Sequence, residues 1–150
     1  GDTSYGGPIK LLRRVDWGPF EKQRLEPKDT WHEFYEEKKF RSAAGFITGA
    51  NPLHRGHEYI HKNALEEIDG LLLQPLVEMA KREYTRHEFR MLSYRSVLDT
   101  YYPKGRSILA PLRVTYIFAG QRDTVLLALI MINDGCSHAL IGRDYAGIGA

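Results

Sequence analysis

The sequence predicts an α/β fold, a Rossmann-like parallel sheet flanked by helices, and three observations carry that prediction. Short apolar runs bounded by turn residues alternate with longer helical patterns. That alternation calls for right-handed crossovers between parallel strands, with helices on both faces of the sheet. The third observation is a strand-to-helix junction at Asn51-Pro52 that has the composition of a phosphate site.

In chain order, residues 1–26 are predicted to be a connector. They mix a strand-like run, Ile9-Lys10-Leu11-Leu12, with the basic pair Arg13-Arg14 and the turn-prone Gly18-Pro19. Pro27 opens a predicted helix, since proline suits a first helical position. Trp31, Phe34 and Tyr35 share one side of it at i, i+3 and i+4, which makes Trp31 a core residue, and Lys38 and Lys39 lie near its end. Regular alternation begins at residue 43. Strands are predicted at 43–48, 70–74, 107–110 and 138–142, and helices at 53–67, 85–101 and 121–133. Residues 27–150 thus form one domain. It ends a few residues past the fourth strand without a helix to cover it, so the domain is predicted to be truncated at its C-terminus.

The composition excludes several classes of protein. Of 150 residues, 43% are hydrophobic and 27% charged, enough to bury a core rather than remain disordered. The longest apolar run, 125–132, is stopped by Asp123, Asn133 and Asp134, so no membrane span is expected. Residues 1–7 have neither the basic start nor the apolar core of a signal peptide. One cysteine, Cys136, rules out an internal disulfide framework and suits the reducing cytoplasm. With no arranged base beside it, Cys136 is assigned no chemistry. A net charge of +2 is too mild for a nucleic-acid reader and suits small anionic ligands.

In open α/β sheets, ligands bind outside the carboxyl ends of the strands. The informative loops are therefore those at 49–56, 75–84, 111–121 and 143–149. In the first, Asn51 is expected to cap a helix, Pro52 to take its first position, and the free N–H groups there to attract a phosphate. His54 and His57 are three residues apart and converge on one face, while Gly56 leaves a polyphosphate room to approach. Arg55 is expected to point to solvent or a partner. Two surface histidines remain the competing explanation, and zinc is disfavoured because the glutamate of a His-Glu-x-x-His site is missing. No protein-bound metal is expected. His61, one turn on, is expected on the helix surface.

After the fourth strand comes Gly142-Arg143-Asp144-Tyr145-Ala146-Gly147, where Arg143 can pair with phosphate oxygens and Asp144 with that arginine or a ribose hydroxyl. A purely structural Arg–Asp pair explains these two as well. Ala119-Gly120-Gln121-Arg122-Asp123 suits a helix start, with Asp123 answering the helix dipole. Lys81, Arg82, Arg86 and Arg90 lie in or beside the second loop. Arg82 reads as solvated, and Arg90 as a candidate wall of an anion pocket.

Taken together, these segments resemble ATP sulfurylase (sulfate adenylyltransferase). The likeness runs through Phe46 to Glu58, Asp69-Gly70-Leu71-Leu72-Leu73 with Pro75-Leu76-Val77, and Tyr101-Tyr102-Pro103-Lys104. It continues through Ala119-Gly120 and Asp134-Gly135-Cys136-Ser137-His138 to Gly142-Arg143-Asp144 and Ala146-Gly147. Gly6-Gly7-Pro8-Ile9 is similar to the end of that family's preceding β-rich domain. The resemblance implies a nucleotidyltransferase fold. The reaction it implies is adenylyl transfer from ATP with Mg2+ to sulfate, giving adenylyl sulfate and pyrophosphate. It further implies that His54 and His57 hold the phosphates, Thr48 and Asn51 line the α-phosphate, Gly142, Arg143, Asp144 and Tyr145 meet the nucleotide, and Ala146 lines the sulfate pocket. A membrane or nucleic-acid partner is not implied; a homo-oligomer or a fused adenylyl sulfate kinase is.

The chain departs from the family's pattern around that pocket. The family's strand end, Gln-x-Arg-Asn-Pro, is here Ile47-Thr48-Gly49-Ala50-Asn51-Pro52, one residue longer and without the glutamine or the sulfate-anchoring arginine. Gln74 replaces a histidine, Glu78 a glycine, Ile117 an arginine, Gln121 a proline and Tyr145 a histidine. Two alternatives therefore stand beside sulfate activation: a degenerate, non-catalytic domain of the same family, and an adenylyltransferase with another acceptor.

Overall fold

The computed structural model describes residues 6–14, 16–77, 84–114 and 120–142. After a 3-10 turn at Gly18–Gln23 come α1 (Pro27–Trp31), a wider π-type turn over His32–Glu37, β1 (Ala43–Thr48), α2 (Arg55–Glu67) and β2 (Gly70–Pro75). They are followed by α3 (Tyr84–Tyr101), β3 (Ser107–Leu109), α4 (Gln121–Asn133) and β4 (His138–Ala139). All strand pairs are parallel, in the order β3-β2-β1-β4. β1 and β2 lie in the middle and are buried at every position, as continuous apolar runs covered on both faces should be.

Strand alternation sends side chains into two cores. On one face, Phe46, Leu71 and Leu73 pack with Leu65 of α2 and with Met91, Tyr94 and Leu98 of α3. On the other, Ile47 and Leu72 pack with Phe34 and with Leu127 and Met131 of α4. α4 lies so close to the sheet that a β-carbon at Gly45 would sit 2.7 Å from Met131 Cγ. No side chain larger than hydrogen fits there without displacing the methionine.

α1 and the π-type turn after it are stapled to the end of α4. Thr30 Oγ1 donates to the Asp134 carbonyl at 2.7 Å and the Tyr35 hydroxyl to that of Gly135 at 2.5 Å. Glu26 N–H donates to Asp29 Oδ2 at 2.8 Å, half of a capping box that fixes the start of the helix.

The expected fold class holds, and β1 and α4 fall on their predicted residues. Other expectations are corrected. Trp31 is 50% exposed rather than core, because the π-type turn after it breaks the 3.6-residue period that would align it with Phe34. Ile9, Leu11 and Leu12 form no strand, and Ile9 is 97% exposed. The fourth strand is only two residues long, although Leu140 N–H still donates to the Gly45 carbonyl at 2.8 Å. Among the described residues, no helix is long and apolar enough to cross a membrane.

Candidate functional site

The strand order fixes where a ligand can enter. The chain winds outward from β1 through β2 to β3, then returns to place β4 on the other side of β1. In an open α/β sheet such a reversal marks the crevice at the carboxyl ends of the strands where ligands bind. Residues 49–54 border it from β1, and the half-buried Gly142 from the β4 side. A β-carbon on Gly142 would meet nothing within 4 Å. Arg143, Asp144, Tyr145 and Ala146 lie outside the described residues, as do Glu78, Lys81, Arg82, Ile117 and Ala119.

The helix start differs from expectation in a way that bears on the chemistry. Asn51 and Pro52 precede α2 without capping it; the N-cap is His54, in extended conformation. Gly56 N–H donates to His54 Nδ1 at 3.1 Å, and His54 N–H to His57 Nδ1 at 3.3 Å. The two imidazoles thus form a reciprocal capping box, a role usually filled by Ser or Thr and Glu. A backbone N–H can only donate, so each Nδ1 must be unprotonated, and the proton of each neutral ring is assigned to Nε2. The pair therefore offers two Nε2–H donors from rings whose centroids are 3.8 Å apart. Burial, and then the neighbouring His54, hold the pKa of His57 below the usual histidine value, which favours the neutral form.

Gly56 has a more local task than admitting a polyphosphate. A β-carbon there would lie 3.0 Å from His54 Cε1, so glycine lets the capping ring fold over the helix end. The helix N-terminus is consequently not a row of free N–H groups, since Gly56 N–H is already taken by His54, and His57 N–H by the His54 carbonyl at 2.9 Å. Below the loop, buried Leu53 anchors it in the core, and Thr48 Oγ1 accepts from Ala50 N–H at 3.0 Å. The Thr48 hydroxyl is buried and also hydrogen-bonds the Tyr94 side chain.

His61 does not lie on the surface. It is 0% exposed, its Nδ1 is 2.7 Å from the Tyr102 hydroxyl, and its Nε2 has no partner. Its ring stands edge-on to Phe46, with centroids 4.4 Å apart, and Phe46 in turn packs against His57. Burial and the nearby His57 push its pKa down to about 3. Nothing in the i, i+4 spacing from His57 told the core side of α2 from the solvent side. Tyr102, forty-one residues away, was the missing partner.

Arg90 is also corrected. Instead of walling a pocket, its buried guanidinium donates to three backbone carbonyls: Ala50 at 2.9 Å, Leu76 at 2.6 Å and Thr48 at 3.1 Å. Gln74, standing where the resemblance expects a histidine, donates to Asp134 Oδ2 at 2.6 Å. Burial raises the Asp134 pKa, and the Gln74 hydrogen bond partly offsets that. Cys136 is buried, and its thiol is pushed up to about 12, which suits a packing residue rather than a nucleophile. Arg86 and Gln121 are exposed at the starts of α3 and α4, and Asp123 is buried in the first turn of α4.

Among the described residues, no group of three His, Cys, Asp or Glu is gathered for a metal. Among the described residues, the cavities lie away from the histidine pair. One cavity of about 350 Å³ sits between the 3-10 turn and α3, lined by Phe20, Phe89, Met91 and Leu92 among others. An apolar lining of that kind offers little to a polyphosphate, so the open crevice is the better candidate.

Comparison with known proteins bears on the same residues. The ATP-sulfurylase family model matches residues 21–150. The chain is 39% identical to the sulfate adenylyltransferase of Chloroflexus aurantiacus over 99% of this chain and 38% of that protein. It is 41% identical to that of Halothermothrix orenii, over 96% of this chain and 37% of the relative. Against Symbiobacterium thermophilum identity is 43%, covering 100% and 37%. The chain thus spans well under half the length of these relatives. Among solved structures, the hexameric APS kinase from Thiobacillus denitrificans has a chain that superposes with a TM-score of 0.71 at 24% identity, covering 87% of this chain and 26% of that one. That likeness supports the fold. On the strength of the family model and these relatives, the chain belongs to the ATP-sulfurylase family.

Proposed function

We propose that the chain carries the catalytic domain of a sulfate adenylyltransferase, residues 27–150, joined by the 1–26 connector to a preceding β-rich domain. The observation that carries the reading is the capped pair His54 and His57, whose two Nε2–H donors stand at the crevice between β1 and β4. In the proposed reaction, a sulfate oxygen attacks the α-phosphorus of ATP, the bond from that phosphorus to the bridging oxygen breaks, and pyrophosphate leaves. Catalysis of this kind is mostly placement and charge neutralisation. His54 and His57 hold the phosphates and the departing pyrophosphate, and Thr48 and Asn51 line the α-phosphate. Gly142, Arg143, Asp144 and Tyr145 meet the nucleotide, and Ala146 lines the sulfate pocket.

Magnesium prefers oxygen ligands, and neutral imidazoles are poor partners for it. It therefore arrives on the phosphates of ATP, where it neutralises charge, rather than on a protein cage. Cytoplasm is the proposed setting, and an adenylyl sulfate kinase, fused or separate, is a natural consumer of the product.

ATP formation from adenylyl sulfate and pyrophosphate by the full chain tests the reading. A luciferase-coupled signal dependent on both substrates is expected, and no signal from a folded sample would contradict catalysis. The absent strand-end glutamine and arginine favour a second reading, a domain that binds nucleotide without turnover. Binding of ATP with no ATP formation would select it, whereas pyrophosphate release stimulated by an anion other than sulfate would point to another acceptor.

A further inference from the structure

The loop that lacks the family's arginine is held by a different one. Arg90 rises from α3 beneath the carboxyl ends of β1 and β2, and its planar fork takes the carbonyls of Thr48, Ala50 and Leu76. Tyr94, one turn on, adds a second donor to the Ala50 carbonyl at 2.7 Å, and its ring lies 5.6 Å from the guanidinium carbon. Arg90 hydrogen-bonds these three carbonyls and the Tyr94 side chain, and among the described residues no carboxylate pairs with it. Burying an unpaired cation is costly, and it is tolerated here because three dipoles point their negative ends at it.

In a trans peptide the C=O and the following N–H point to opposite sides. The cis bond in this loop is Asn51-Pro52, so the peptides Thr48-Gly49 and Ala50-Asn51 are trans. Drawing the carbonyls of Thr48 and Ala50 down onto Arg90 turns the N–H groups of Gly49 and Asn51 away from it. Both residues are exposed, and neither N–H has an acceptor among the described residues. The Val77 N–H, turned in the same way by the Leu76 carbonyl, is taken by the Leu112 carbonyl at 3.0 Å.

We infer that Arg90 is a positioning residue that aims Gly49 N–H and Asn51 N–H at the acceptor anion, replacing with backbone donors and a buried charge the arginine side chain missing from the strand end. The inference rests on the phosphate site proposed above. Arg90 touches no substrate. It holds the loop in the one arrangement that leaves both donors free, and its charge lies on the far side of the same peptides. Lengthening the strand end by one residue, with Gly49 and Ala50 in place of larger side chains, leaves the backbone accessible.

The test follows amide and imidazole signals of the full chain by nitrogen-15 NMR, titrating inorganic sulfate and, separately, pyrophosphate. Sulfate is expected to shift the Gly49 and Asn51 amides with one common affinity. Arg90→Gln is expected to weaken that affinity by about tenfold or more, while His54 and His57 still respond to pyrophosphate. Tyr94→Phe removes one of two hydrogen bonds to the Ala50 carbonyl and is expected to weaken the Asn51 response while sparing that of Gly49. A merely structural role would not separate the two amides. Amides that stay still while pyrophosphate moves both imidazoles, or an unchanged response in folded Arg90→Gln, would overturn the inference. Should Arg90→Gln fail to fold, an unchanged Asn51 response in Tyr94→Phe does so. If pyrophosphate leaves both imidazoles unmoved, the phosphate site itself is what fails.

Discussion

Replacing either His54 or His57 with alanine is expected to slow ATP formation from adenylyl sulfate and pyrophosphate by roughly a hundred- to a thousandfold, the cost of removing one positioned donor from a charge-stabilising site. His32→Ala is expected to change the rate by less than about twofold, because an exposed side chain away from the crevice makes no donor there. Among the described residues, His32 pairs with Glu36 and Glu37 on the π-type turn. The two variants should differ in stability. His54→Ala also removes the N-cap of α2, at about 1 kcal/mol, so its denaturation midpoint falls, whereas its rate loss far exceeds what partial unfolding explains. His57→Gln separates donor from ring, since its carboxamide can still donate. Small and equal effects from His54, His57 and His32 would mean that the pair is an ordinary capped helix start.

Stability is expected to decline below neutral pH through His61, which the structure places in the core. Its pKa is 6.5 in the unfolded chain and about 3 in the folded one. A depressed folded value means that protons bind the unfolded state preferentially as pH drops. The contribution is full above 6.5, erodes at about 1.4 kcal/mol per pH unit below it, and is gone once the pH has fallen through about 3. Between pH 7 and pH 5 the loss from this residue is about 2 kcal/mol. His61→Gln keeps a partner for the Tyr102 hydroxyl but does not titrate, so its denaturant midpoint should vary less with pH. Equal pH dependence in both proteins would show that His61 is accessible to protons in the folded state. His57 contributes in the same direction, by less, because its shift is smaller.

The fold was legible where periodicity and burial coincide. β1 and β2 read as strands because they are mostly apolar, and both are buried at every position. α4 was found to the residue between Gly120 and Asp134. The parallel pairing followed from strand-helix alternation and the rule for right-handed crossovers, whereas the strand order β3-β2-β1-β4 came only from the structure. Trp31 misled because local spacing cannot foresee a π-type turn. His61 misled because a histidine on an amphipathic helix looks the same in sequence whether it faces water or a tyrosine forty-one residues away.

At the site, the histidine pair was visible, but not its geometry. Asn51-Pro52 has the composition of a helix start, yet His54 provides the cap, a choice that depends on the ring folding over Gly56. Arg90 could not be placed, since its partners are carbonyls that carry no residue identity, in segments fourteen to forty-two residues away. The i, i+4 pair of Arg90 and Tyr94 on α3 was the available signal, and it became informative only once the sheet brought Ala50 beneath both.

The central claim is that the polyphosphate of ATP sits on His54 and His57 at the crevice between β1 and β4, and imidazole nitrogen-15 NMR during titration with magnesium ATP tests it most directly. The expected result is saturable shifts of the Nε2 signals of His54 and His57, with those of His32 and His138 unchanged. Unmoved His54 and His57 signals, with nucleotide binding instead perturbing Phe89 and Leu92 at the cavity beside α3, would contradict it.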